Sequence, residues 1–247
     1  MQGGDAVLRQ VLAAFEHESH LNLHNHPIHM SFSGGALTVA GEVPDIASKK
    51  RIVRLAHAFN GAAALVDHLR VKVEPPVGDG ALRDRVCERL LQAVDFRNCV
   101  ICASVKGQVE ILRGAMDAAG NGDGSGAVEV TVQDGVVTLT GQVISLSHKR
   151  LAGVLAWWAG ACREVMNLLE VSPAEEDSDD EIAEALHLVL ETDPYVHAEQ
   201  IVVKSQNHRV TLEGWVSSEA ERRQVEQDAW YLDAIDQVVN RIDVRAR

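Results

Sequence analysis

At 247 residues, 46% of them hydrophobic and only 4% aromatic, the chain suits small two-layer domains built on Val, Leu, Ile and Ala better than one large aromatic-rich enzyme core. Its formal charge of −13, with no basic block, argues against nucleic acid as a partner, because phosphate neutralisation supplies most of that affinity. The N-terminus lacks a basic n-region and an unbroken apolar stretch, and no transmembrane segment is expected. The chain therefore reads as cytoplasmic, where Cys87, Cys99, Cys102 and Cys162 stay thiols.

In chain order, apolar residues on one side, among them Val7, Leu8, Val11, Leu12 and Phe15, predict a helix at about Asp5–His17. A His-rich segment follows, then a strand at Pro27–Phe32, a turn at Ser33-Gly34-Gly35 and a second strand ending at Val43. Asp45 caps a helix whose buried stripe is Ile52, Ala56 and Phe59, and Leu69 and Val71 mark a closing strand. After the linker Glu74–Gly80, the same order recurs with a helix at Ala81–Val94, strands at Val128–Val132 and Gly135–Val143, a Ser145-capped helix with Ala152, Ala156 and Ala159 inward, and a strand through Leu169 and Val171. It recurs again after Pro173–Asp180: a helix at Asp180–Glu191, strands at Gln200–Lys204 and His208–Val216, a Ser218-capped helix with Val225, Ala229 and Leu232 inward, and a strand through Ile242 and Val244. Ser218 with Glu221 has the spacing of a capping box.

These are three copies of one unit. Gly35–Val43, Gly135–Val143 and His208–Val216 align without a gap as apolar-Thr-apolar-x-Gly-x-Val, and Val71, Val171 and Val244 each follow the motif glycine by 30 residues. The reading is α+β: three tandem αββαβ modules at 1–74, 80–172 and 179–247, each a three-stranded mixed sheet on two helices. An insert at about 97–126 interrupts the second module, with Asn121–Gly126 read as a flexible loop. The two strands flanking each capped helix should run parallel. Residues 1–76, 77–172 and 173–247 carry net charges of 0, −2 and −11.

The motif, the polar helix and the later Val165-Met-Asn167 and Val238-Val-Asn240 together resemble the BON domain over nearly the whole chain. Module 1 departs from the pattern with Asp67 where the others have Asn. The resemblance implies a bacterial accessory module, often in envelope and stress-response proteins, that binds phospholipid or another ligand without catalysis. A relative joining BON to LysM binds potassium, which implies cation binding as an alternative, although no LysM segment is visible here.

Three clusters are candidate sites. The repeated basic pairs Lys49-Lys50, Lys149-Arg150 and Arg222-Arg223 lie early on the capped helices, where they read either as recognition of an anionic surface or as a solvated face. His17, His20, His24, His26 and His29 form a His-rich segment; if it is extended, His24 and His26 project to one side, and the transition-metal candidates are His20, His24, His26 and His29. A polar loop without a matching ligand set is the competing reading. Trp157-Trp158 and Trp230-Tyr231 share a repeat position and read as core packing, a module interface or a homo-oligomer contact.

Cys99-Val-Ile-Cys102 has CxxC spacing in a strand-like context, so buried structural thiols are favoured over zinc or redox chemistry. No triad order, phosphate-binding loop or HExxH is recognisable, and no enzyme is expected. The function expected is cofactor-free binding or scaffolding against anionic phospholipid or a protein partner. The alternative is a soluble sensor of potassium or a divalent metal.

Overall fold

The computed structural model describes residues 2–18, 21–59, 64–114 and 126–245, with side chains from residue 8 onward. The chain divides into two compact units, Met1–Lys72 and Val73–Arg247.

In the first unit α1 (Gln2–His17) precedes an antiparallel hairpin of β1 (Ile28–Ser33) and β2 (Ala36–Val43). Helix α2 (Ile46–Phe59) then leads to β3 (Ala64–Val71), which pairs parallel with β2. Period-two alternation puts Leu37 and Val39 of β2 on one face, where they join Val11 and Phe15 of α1, Ile52 and Ala56 of α2, and Leu69 of β3 in a buried core. The side chain of Phe59 lies outside the described residues.

The second unit repeats the order twice. Module 2 runs α3 (Asp79–Gln92), β4 (Val100–Val105), β5 (Gln108–Arg113), β6 (Gly126–Gln133), β7 (Val136–Val143), α4 (Leu146–Trp158), β8 (Glu164–Asn167) and a short β9 (Glu170–Val171). Module 3 runs α5 (Asp179–Thr192), β10 (Ile201–Gln206), β11 (Arg209–Val216), α6 (Glu219–Tyr231) and β12 (Gln237–Val244). Modules 1 and 3 have the expected three-stranded sheets, β1-β2-β3 and β10-β11-β12.

Module 2 is wider than three strands. Its insert contributes the β4–β5 hairpin, and β4 adds parallel to the edge of β6, giving the order β5-β4-β6-β7-β8 with β9 also on β7. Two runs of strand-forming residues flank Lys106-Gly107, whose φ values of 52° and 80° make a two-residue turn with the twist a hairpin needs. The sequence placed an insert here and a strand-like context at Cys99–Cys102, without assigning the hairpin. The loop expected at Asn121–Gly126 lies outside the described residues except for Gly126, which opens β6.

The repeat's own hairpins turn at Gly34-Gly35, Asp134-Gly135 and Asn207-His208, all with φ between 51° and 80°. In the second unit an aspartate at the start of the preceding helix holds the turn. Asp79 accepts from the Asp134 and Gly135 N–H groups at 2.9 Å, and Asp179 accepts from Asn207 N–H (2.7 Å) and His208 N–H (3.2 Å). A further bond from the Ser205 hydroxyl at 2.6 Å is the foremost reason that the Asp179 carboxyl lies below the usual range.

The motif glycine is sterically required. Gly41, Gly141 and Gly214 have φ of 151°, 118° and 130°; a Cβ on Gly41 would lie 2.8 Å from the Pro27 carbonyl oxygen, and on the other two it would collide with the carbonyls of Ala127 and Gln200. Caps follow the sequence closely: Asp45, Ser145 and Ser218 accept from the N–H groups of Ser48 (2.7 Å), His148 (3.1 Å) and Glu221 (3.1 Å). Glu221 reaches back one residue further than a capping box requires, accepting from Ser217 N–H at 3.1 Å.

Candidate functional site at the seam of modules 2 and 3

Helices cover one face of each sheet, and in the second unit the helices of modules 2 and 3 meet. Helix α4 is therefore buried from Arg150 to Trp157, its own sheet on one side and α5 and α6 on the other. A Cβ on Gly153 would lie 3.0 Å from Asn167 Nδ2 and 3.8 Å from Asp233 Oδ2, so a glycine there leaves room for module 3.

The basic pairs separate by position. Lys49 and Arg150 turn inward, with 7% and 4% of their surface exposed, which removes both from the expected anion-binding surface. Lys50, Lys149 and Arg222 are half-buried, and Arg223 is exposed.

The reason for Lys49 is local. Its Nζ lies 3.1 Å from Asp67 Oδ2 and donates to the Leu69 carbonyl at 3.2 Å. Burial lowers the lysine pKa, opposed by the Asp67 carboxylate. In the other modules the Asp67 position is Asn167 or Asn240, whose amide donates to the backbone carbonyl of Lys149 (2.7 Å) or Arg222 (3.2 Å). Asp67, Asn167 and Asn240 each accept through Oδ1 from the N–H two residues on, at 2.8, 3.4 and 3.1 Å. An ionised aspartate has no donor for the helix, so the Lys49 head group supplies it.

Arg150 is held by the next module. Its guanidinium bonds Asp177 and lies 3.8 Å from Glu181, while Glu175 accepts from Leu146 N–H at 2.7 Å at the start of α4. The acidic linker is thus bound to the N-terminal turn of α4 as well as preceding α5. Burial and the neighbouring Glu175 and Glu184 raise the Glu181 pKa, against the pull of Arg150.

At the other end of α4, Trp157 stacks on Tyr231 with ring centroids 5.6 Å apart and planes 12° from parallel. Trp158 Nε1 donates to Asp228 Oδ1 at 2.9 Å. Trp230 is buried in α6. Burial pushes the Asp228 carboxyl up to about 8, and Asp193 adds to the shift. Asp228 and Asp193 were not singled out in the sequence, where a module interface was among the readings of the neighbouring aromatic pairs but nothing marked the carboxylates between them.

The His-rich segment is a turn rather than the extended run that would set His24 and His26 on one side. Asn22 draws it into a turn, accepting from His26 N–H through its backbone oxygen and from Asn25 N–H through its side chain, both at 3.0 Å. His24 and His29 are exposed, His26 is half-buried, and His20 lies outside the described residues. Among the described residues, no three His, Cys, Asp or Glu side chains gather as a metal site. Burial pushes the Cys87 and Cys99 thiols up to about 11 and Cys162 to about 12, far from a thiolate at neutral pH. Cys99 precedes β4, and Cys102, on that strand, is half-buried. A groove of about 430 Å³ lined by Arg85, Glu88, Arg89, Gln92 and Ala159 is open and polar.

The BON domain family model matches three times, at residues 5–73, 104–173 and 178–246, together most of the chain. The chain belongs to the BON domain family. Helix α3 lies upstream of the second match, and its Asp79 holds the β6–β7 turn as Asp179 holds the β10–β11 turn, with β4 and β5 between α3 and β6 along the chain. No curated protein matches the chain. Solved structures similar to it include two of CdsD, a structural protein of the type III secretion system of Chlamydia trachomatis, one of them its C-terminal domain. They share 14% and 15% identity over 91% and 90% of this chain and 89% and 93% of theirs, with TM-scores of 0.25 and 0.23. Among the described residues of these BON modules, no helix is long and apolar enough to cross a membrane.

Proposed function

We propose that this is a non-catalytic, cytoplasmic scaffold whose BON modules, at 1–74, 80–172 and 179–247, bind a protein partner on their helix-free sheet faces. The seam carries this reading. It commits the helix faces of modules 2 and 3 to each other, through Arg150 with Asp177, Trp157 with Tyr231 and Trp158 with Asp228. Each sheet therefore turns its other face outward, with Val109, Ile111, Met166 and Val202 exposed there. A photocrosslinker at Val202 or Val109 in the producing cell should yield one discrete protein adduct; the same ladder as from exposed Asp84 on α3 would contradict the reading.

Anionic phospholipid is the second reading, favoured by Lys50, Lys149, Arg222 and Arg223, which remain at the surface of equivalent helical turns. The net charge of −13 weighs against it. Flotation with phosphatidylglycerol-containing vesicles, lost on Lys149→Glu with Arg223→Glu and absent with phosphatidylcholine alone, would establish the lipid reading. Cation sensing has less support, because Glu175, Asp177 and Glu181 already have partners in α4.

A further inference from the structure

The geometry points to a proton-binding site at the Asp193–Asp228 pair, through which pH controls the docking of module 3 on module 2. Asp228 is fully buried on α6 at the seam, and Asp193, which ends α5, is 4% exposed. Gln224 Nε2 bridges them, 2.9 Å from Asp193 Oδ2 and 3.2 Å from Asp228 Oδ1. Oδ1 also accepts from Trp158 of module 2, whereas Oδ2 is buried without a donor.

A buried carboxyl oxygen without a donor is costly, and a second carboxylate beside it adds repulsion. One proton on Asp228 Oδ2 removes both costs, because the neutral acid can donate to Asp193. The groups acting on Asp228 are Asp193 from the end of α5, Trp158 from α4 and Gln224 from α6 itself; none is basic. The carboxyl lies at about 8 for these reasons, burial foremost.

Docking therefore takes up a proton that an opened seam, with Asp228 in water, gives back. The docked state is favoured as pH falls. It weakens as pH rises from the ordinary carboxylate range toward about 8 and levels off above that. One proton changes the docked-to-open ratio about tenfold per pH unit within that window.

The test is a carbon-13 carboxyl titration of the full chain, with hydrogen exchange of α4 and α6 corrected for intrinsic rates. Asp228 should titrate near pH 8, and Trp158→Phe should shift that midpoint. Opening of both helices should increase about tenfold per pH unit between about pH 5 and 7. That slope should vanish in Asp228→Asn, whose amide imitates the protonated acid. If Asp228→Asn does not fold, Asp193→Asn serves instead and should lower the Asp228 midpoint. A midpoint in the ordinary carboxylate range, one unmoved by Trp158→Phe or Asp193→Asn, or an equal slope in Asp228→Asn would overturn the proposal.

Discussion

Lys49 Nζ and Asp67 Oδ2 meet at 3.1 Å in module 1, at the place where modules 2 and 3 use an asparagine amide and a helix carbonyl. The two arrangements solve one problem, joining the capped helix to the closing strand. They also explain why Asp67 departs from the repeat without unfolding it.

Asp67→Asn alone should destabilise module 1 by about 1–3 kcal/mol, because it removes the carboxylate that offsets the burial of the Lys49 ammonium. Adding Lys49→Met should restore stability to within about 1 kcal/mol, since the new asparagine can then donate to the residue 49 carbonyl as Asn167 does to that of Lys149. Urea midpoints of both variants check this; equal losses in the two would show that the pair is incidental.

The converse holds in module 3. Asn240 donates to the Arg222 carbonyl and to Glu226 at 3.1 Å, so Asn240→Asp removes the donor and sets two carboxylates together. Thermal unfolding should fall more for Asn240→Asp than for Asn240→Ala.

The motif glycines should rank by space. Gly141→Ala and Gly214→Ala collide with backbone carbonyls and should each cost at least about 3 kcal/mol. Gly41→Ala, with its nearest carbonyl oxygen at 2.8 Å, should cost less. The order of chemical denaturation midpoints tests the ranking.

What the sequence disclosed was local and repeated. Caps at Asp45, Ser145 and Ser218, the hairpin turns and the inward stripes each follow from a few neighbouring residues and appear three times. The direction in which a side chain turns at a module boundary is a different matter. Lys50, Arg150 and Arg223 occupy one repeat position, yet of the three it is Arg150 that is buried, with another module's acidic linker against it. Likewise, Asn22 closes the His-rich segment into a turn, so a polar loop could be read from the sequence but not the residue that forms it.

Arg150→Ala should weaken the seam by about 2–3 kcal/mol, less than a fully buried pair would lose, because Asp177 is half exposed. Added salt should change this loss little, since the guanidinium is buried. Hydrogen exchange at α4 and α5, at low and high salt, reads both effects.

The binding reading rests on modules 2 and 3 acting as one body. Hydrogen exchange across a urea series on the unmodified chain tests this most directly. The structure predicts that 146–158, 179–192 and 219–231 lose protection together at one urea concentration. Loss from 146–158 at a concentration where 179–192 and 219–231 remain protected would contradict it.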